Sequence, residues 1–423
     1  MMRRLPLLLG VLFTVWLIAA LANGAEVIPP LMPRPHPRVA AEAGVRKLAA
    51  GNRSFALRLY QQLSSQEGNL FYSPYSISVA LGMTYAGARG ATERQMARAM
   101  NFYLPSDELA AAFASLDQTL ATRGQGARGT KGQPFRLNIA NALWGQTGER
   151  FLPSYLDLLQ RNYGAGVQQV NFAQPEAARG TINDWVSRET QQKITDLIAP
   201  GVLTPTTRLV LTNAIYFNAA WDHPFEKANT KPGPFTLLNG RKITADMMHG
   251  NLSAGYAAGD DWQAVDLPYQ GRQLSMTLLL PAAGRFRSFE RALTAAQVEV
   301  ICTYLRPAEL ALTMPKFKYE STFSLGRTLA ALGMREAFTP RADFSGMNGK
   351  RDLFISEVVH KALVEVDEEG TEAAAATAVV MRTTALPPSR RIEVVIDRPF
   401  LFVIRDAPTG AVLFVGRVVE PKG

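Results

Sequence analysis

The chain has 423 residues, 47% of them apolar, and a formal net charge of +9. That length accommodates one large domain or two to three small ones, and the apolar share is ordinary for a globular protein. The positive residues are scattered, with no dense Lys/Arg stripe interleaved with aromatics, which argues against a nucleic-acid partner. The single cysteine, Cys302, excludes an intramolecular disulfide framework and a cysteine-rich metal site. It lies in the apolar segment Val298 to Leu305 and reads as a buried small hydrophobe.

In chain order, Arg3 and Arg4 precede an almost wholly apolar run from Leu5 to Ala22. Small residues follow, in Ala20-Leu21-Ala22 and Ala22-Asn23-Gly24, so residues 1–24 read as a cleavable export signal. A secreted, extracellular protein is expected, without membrane contact after cleavage. Were the segment retained, the location would be periplasmic or envelope-associated. Residues 25–43 form a proline-rich tether, extended and not packed. The domain proper spans 44–423, since neither a repeat nor a second linker interrupts it.

Within that domain the early elements read as helices. Leu48, Phe55, Leu59 and Leu63 have helical spacing. Ser76 to Tyr85 is apolar on almost all sides, Thr92 to Met100 is helical, and Ser106 reads as N-cap of a helix to Thr122. A glycine-rich loop, Gly124 to Gln133, matches the dinucleotide fingerprint only literally: a helix precedes it where a strand is needed. Leu137 to Trp144 reads as a strand, and Leu152 to Tyr163 and Ala177 to Thr190 as helices, with Trp185 facing inward. Arg208 to Phe217, nearly continuous in apolar residues, reads as a strand buried on both faces. Later come a hairpin around Gln270-Gly271, strands Glu309 to Phe317 and Leu353 to Val366, a helix Phe323 to Leu332, a strand Ile392 to Ile396, and a hairpin from Pro399 to Val419. Helices early and strands late predict an α+β fold.

Catalytic chemistry finds no footing. The four histidines are His36, His223, His249 and His360, and none stands in a nucleophile elbow or a metal-spaced pair. His360, within an apolar strand, reads as a hydrogen-bonded structural histidine. The protein is expected not to be an enzyme and to need no cofactor or metal.

One stretch remains: Glu368-Glu369-Gly370-Thr371-Glu372-Ala373-Ala374-Ala375-Ala376-Thr377. Composition leaves two readings open, an alanine-rich helix or a segment that must later fit somewhere tight. Its surroundings decide. Val358-Val359-His360-Lys361-Ala362 and Val364 to Ala375 together resemble the hinge of the serpins, and Asp397-Arg398-Pro399-Phe400-Leu401-Phe402-Val403-Ile404-Arg405 is similar to their C-terminal signature. Asn69 to Ile77, Leu211 to Phe217 and Leu312 to Phe317 also resemble that family, in order over ~350 residues.

The resemblance implies about nine helices around three sheets, with an exposed reactive loop over about 368–391. It implies a suicide-substrate inhibitor of serine proteases, which acylate on the loop and are trapped in a covalent complex when the loop enters the large sheet. Of the small residues, Thr371, Ala373, Ala375 and Thr377 would face the interior and Glu372, Ala374 and Ala376 the outside. Counting along the family's loop from Gly370 gives a cut at Thr384–Ala385, with Arg382–Thr383 as the competing bond and Met381 and Leu386 as further options. Thr384 suits elastase-like or subtilisin-like proteases; Arg382 would recruit trypsin-like ones. The resemblance also implies a polar latch, the shutter, of Ser73, Ser76, Asn213 and His360. The expected partner is a serine protease and the expected state a monomer. The alternatives are a non-inhibitory binding or carrier serpin and a cross-class inhibitor of cysteine proteases.

Overall fold

The computed structural model describes residues 42–123, 136–371 and 391–421. Of the expected segments, the export signal and residues 25–41 of the tether lie outside these, as does the glycine-rich loop. The first helix opens at Glu42, two residues ahead of the expected domain start.

The elements, in order, begin with α1 (Glu42–Leu63), β1 (Leu70–Tyr72), α2 (Pro74–Gly87), α3 (Gly90–Met100), α4 (Ser106–Arg123), β2 (Arg136–Gln146), α5 (Pro153–Tyr163), β3 (Val167–Val170), α6 (Pro175–Glu189) and β4 (Leu209–Ala220). Then follow β5 (Lys231–Thr236), β6 (Lys242–Ala258), β7 (Trp262–Pro268), β8 (Leu274–Pro281), α7 (Phe286–Ala292), α8 (Ala295–Tyr304), β9 (Arg306–Pro315) and β10 (Phe317–Ser324). The chain ends with α9 (Gly326–Ala331), α10 (Ser345–Asn348), β11 (Ile355–Val366), β12 (Gly370–Thr371), β13 (Ile392–Val395), β14 (Phe400–Asp406) and β15 (Val412–Val418). This is the expected α+β class, with ten α-helices among the described residues.

The strands form two hydrogen-bonded sheets where three were expected. A six-stranded sheet runs β10-β11-β12-β4-β2-β3, and the other nine strands form the second. The second is continuous because β6, 17 residues long, pairs with β5 over its first residues, with β7 over its last, and with β9 between and beside them. Three local expectations also change. Ser106 is the first helical residue of α4, and the Pro105 carbonyl accepts the Leu109 amide N–H in its place. The expected strand Glu309 to Phe317 breaks at Lys316 into β9 and β10, one in each sheet. Cys302 is only partly buried.

The sequence explains the core. Every residue of β4 is buried, and all of α2 except Val79 is buried or nearly so, because α2 lies beneath the six-stranded sheet against β2, β4 and β15. Ser73 caps α2, accepting the Ser76 N–H, and Pro74 supplies a first-turn residue that needs no hydrogen-bond partner. On the opposite face of that sheet α6 closes a second cluster, with Ile182 and Val186 over Trp144, Val210, Ala214 and Val359. Trp185 packs edge-on against Trp144.

Candidate functional site

The centre of the six-stranded sheet is a parallel pair. β4 and β11 pair from Leu209 and Ile355 to Tyr216 and Leu363, in one register from Val210 and Glu357 onward, past an irregularity at Ser356. Beyond that point they part, and the two residues of β12 lie between them. Thr371 pairs with Val366 on one side and Ala219 on the other, and Gly370 pairs with Ala220, all antiparallel. The fit requires glycine: a Cβ on residue 370 would stand 2.1 Å from the Ala219 carbonyl oxygen. The Thr371 side chain is buried, with its hydroxyl 2.7 Å from the Tyr269 hydroxyl. Tyr269 in turn stacks on Trp221, ring centroids 4.6 Å apart.

Main-chain and ionic contacts hold the turn that leads into β12. The Trp221 and Phe225 amides donate to the carbonyls of Glu369 and Glu368, at 2.9 and 2.8 Å, and the Trp221 indole N–H donates to the Asp367 carbonyl at 3.0 Å. The two acids diverge. Glu368 is buried, accepts from the Thr230 hydroxyl at 2.7 Å and pairs with Lys316 at 3.1 Å. Glu369 pairs with Lys227 at 2.8 Å. Burial pushes the Glu368 carboxyl up, but Thr230, the Glu368 main-chain amide and Lys316 outweigh it and hold the group below its ordinary value. Asp367 moves the other way. Burial raises it, its acidic neighbours add to the rise, and the Glu369 and Gly370 amides offset only part.

Further along the same strand pair lies a polar cluster. The Ser73 amide donates to His360 Nε2 at 3.1 Å, so the proton of the neutral ring is on Nδ1, which donates to Asn213 Oδ1. Asn213 Nδ2 donates to Ser76 Oγ at 2.5 Å and to Asn141 Oδ1. Asn141 returns its own amide to the Ser76 carbonyl at 3.1 Å. Burial depresses the His360 pKa from 6.5 to about 3, only partly opposed by the contact with Asn213. Phe323 covers the imidazole face.

The structure thus brings Ser73, Ser76, Asn213 and His360 together in one hydrogen-bonded group. It places Glu368, Glu369, Gly370 and Thr371 at the open end of the strand pair. Glu372, Ala373, Ala374, Ala375, Ala376 and Thr377 lie outside the described residues, as do Arg382, Thr383, Thr384 and Ala385. Sequence reasoning missed Asn141, Lys316, Thr230, Trp221 and Tyr269. Only Asn141 carried a signal, an amide inside the strand Leu137 to Trp144, and it stands directly opposite Asn213 in register.

A parallel strand pair parted at one end, with an antiparallel hairpin seated in the opening, defines the centre of the six-stranded sheet. The chain belongs to the serpin family: the family model described as serpin (serine protease inhibitor) matches residues 50–421. It is 40% identical over 392 residues to the leukocyte elastase inhibitor of Bos taurus, covering 89% of this chain and all of that protein. The crystal structure of Serpin48 from the insect Tenebrio molitor superposes with a TM-score of 0.77 at 28% identity, covering 89% of this chain and 98% of the other. Human thyroxine-binding globulin complexed with its hormone gives 0.79 at 29% identity, covering 90% and 100%. Serpins are in general protease inhibitors and not catalysts, and they target serine proteases. The expected secretion is corrected by these relatives, because leukocyte elastase inhibitors are intracellular serpins. The apolar run Leu5 to Ala22, which carried the export-signal reading, lies outside the described residues.

Proposed function

We propose that the protein is a suicide-substrate inhibitor of serine proteases, with elastase-like enzymes as preferred targets and Thr384–Ala385 as the reactive bond. The protease serine attacks the Thr384 carbonyl, the Thr384–Ala385 bond breaks, and the Ala385 amine leaves with a proton. The chain up to Thr384 then enters the sheet before water cleaves the new ester. Relatives named leukocyte elastase inhibitor support the target class.

The observation that carries this reading is the seating of β12 between β4 and β11. It supplies the first two residues of an inserted strand in both registers. Continued along β4 and β11, those registers set Ala373 against Phe217 and Val364, and Thr377 against Asn213 and His360. Met381 would then reach Leu209, the first residue of β4, so a cut at Thr384 leaves enough chain to fill the whole gap. Insertion exchanges one parallel interface for two antiparallel ones and so adds a ladder of hydrogen bonds. Roughly 45 Å of strand separates Gly370 from Thr384, which would carry a tethered protease the length of the sheet. In this reading Ser73, Ser76, Asn213 and His360, with Asn141, hold the strand pair shut until the loop arrives.

The test is incubation of the protein with elastase, subtilisin, trypsin, chymotrypsin and papain, followed by denaturing electrophoresis and mass determination of the released peptide. The reading expects a covalent band with elastase and a peptide that begins at Ala385; a peptide that begins at Thr383 moves the bond to Arg382. A second reading, a binding or carrier protein, draws on the likeness to thyroxine-binding globulin. Cleavage by every protease without a covalent band would favour it. A covalent band with papain alone would mean cross-class inhibition.

A further inference from the structure

We propose that Asp367 is a positioning residue of the inhibitory reaction, its carboxylate closing the 367–370 turn and thereby fixing where the loop enters the sheet. This rests on the reading above, that the loop inserts after cleavage. In a two-residue hairpin the amide of the last residue ordinarily returns to the carbonyl of the first. Here the Asp367 amide donates to the Gly370 carbonyl at 3.0 Å, but the Asp367 carbonyl accepts the Trp221 indole N–H. The Gly370 amide goes instead to Asp367 Oδ1 at 3.3 Å, and the Glu369 amide joins it there at 2.9 Å. One carboxylate oxygen therefore satisfies two half-buried amides, and it frees the main-chain carbonyl to tie the turn to Trp221.

This turn persists through insertion. β11 and the incoming strand are antiparallel neighbours, and residues 367–370 join them before and after the loop moves. A turn already closed removes the ordering of the hinge from the slow step, which must outrun hydrolysis of the acyl bond. The charges around Asp367 have separate partners: Glu368 is held by Lys316 and Thr230, and Glu369 by Lys227. One oxygen of Asp367 takes two amides of the turn itself.

The test uses the full chain as wild type, Asp367→Ala and Asp367→Asn, with hydrogen exchange of the Glu369 and Gly370 amides and the stoichiometry of elastase inhibition. Loss of the acceptor in Asp367→Ala should speed exchange of both amides about ten-fold and raise the inhibitor consumed per protease by roughly two-fold or more. Asp367→Asn keeps a side-chain oxygen and should rescue both. Unchanged exchange in Asp367→Ala overturns the proposal, as does faster exchange with unchanged stoichiometry, or failure of Asn to rescue. If wild type forms no covalent complex, the inhibitory reading fails by itself, and the positioning role falls with it even where the exchange data show that Asp367 closes the turn.

Discussion

Lys316 Nζ lies 3.1 Å from Glu368 Oε2, and Lys316 is the one residue between β9 of one sheet and β10 of the other. Its amide donates to the Asp246 carbonyl in β6, which fixes the junction from the second sheet as well. The ion pair therefore ties the start of the hinge to the seam between the two sheets. The Glu368 side chain is 4% exposed and that of Lys316 33%, so the carboxylate pays most of the desolvation.

Removing the cation should leave that carboxylate buried with the Thr230 hydroxyl as its remaining side-chain partner. Lys316→Met is expected to cost ~2–3 kcal/mol, less than for a fully buried pair because the lysine is partly solvated. Urea unfolding measures it. The pH dependence gives an independent check. Glu368 is held below its ordinary value of 4.5, so its contribution is complete above that pH and fades as pH falls through the folded value. Lys316→Met should weaken this acid loss; an identical acid limb in both proteins would show that the pair does not stabilise the hinge.

His360 predicts an acid dependence of different origin. The ring is neutral and fully buried, accepting from the Ser73 amide and donating to Asn213. Its pKa drops from 6.5 to about 3, so the folded state resists a proton that the unfolded chain takes up. Stability from this group is complete above pH 6.5 and is lost on acidification at ~1.4 kcal/mol per pH unit until the folded value is reached. His360→Ala should abolish that slope. It should also leave the Ser73 amide and the Asn213 oxygen short of a partner, at ~1–3 kcal/mol each, and speed spontaneous polymerisation on mild heating. Native gels identical to wild type would count against the latch.

What was legible in the sequence divides along physical lines. β4 and β11 showed as long apolar runs because they are buried by layers on both faces. The helices α1 and α2 showed because their buried positions are helically spaced or nearly continuous. β6 did not show: exposed Lys242, Asp246, His249 and Asn251 interrupt it, and it is a strand because β5, β7 and β9 pair with it. Lys316 looked like an interior residue of one strand, since nothing local says that the chain changes sheets there. The partners of Glu368 and Asp367 come from Thr230, Lys316 and Trp221, far along the chain, and only the fold brings them together.

Gly370 tests the seating of β12 directly. A Cβ there would meet the Ala219 carbonyl oxygen at 2.1 Å and the Ala220 Cα at 2.8 Å, both main-chain atoms of a central strand that cannot step aside. Gly370→Val should therefore lift β12 out of the gap, break the Thr371–Tyr269 contact and cost ~1–3 kcal/mol. The larger effect should be functional: proteases would cut the loop faster than it inserts, turning the inhibitor into a substrate. Gly370→Ala should act in the same direction. A covalent elastase complex of wild-type yield from the Val variant would mean that the hinge does not use this path.

The last prediction concerns an ion pair far from the hinge. Glu290 of α7 and Arg417 of β15 are 2% and 1% exposed, with Oε1 and Nη1 2.8 Å apart, and Tyr60 of α1 donates to the same oxygen at 2.6 Å. Arg417 also donates to the carbonyls of Ser64, Gln66 and Gly68, where α1 runs toward β1. Three elements thus meet on two buried charges. Glu290→Ala should cost ~3–5 kcal/mol, because Arg417 stays buried without a counter-ion, and Tyr60 loses its acceptor. Glu290→Gln keeps an acceptor for Tyr60 and should cost less. The double variant Glu290→Leu with Arg417→Met should recover much of the loss, since burying two charges sets a penalty that an apolar pair avoids. Urea unfolding of the four proteins gives the order: wild type and the double variant highest, Gln between, Ala lowest. If the Gln variant proves as stable as wild type, the buried arginine is satisfied by its three carbonyls, and the carboxylate contributes nothing beyond a hydrogen bond.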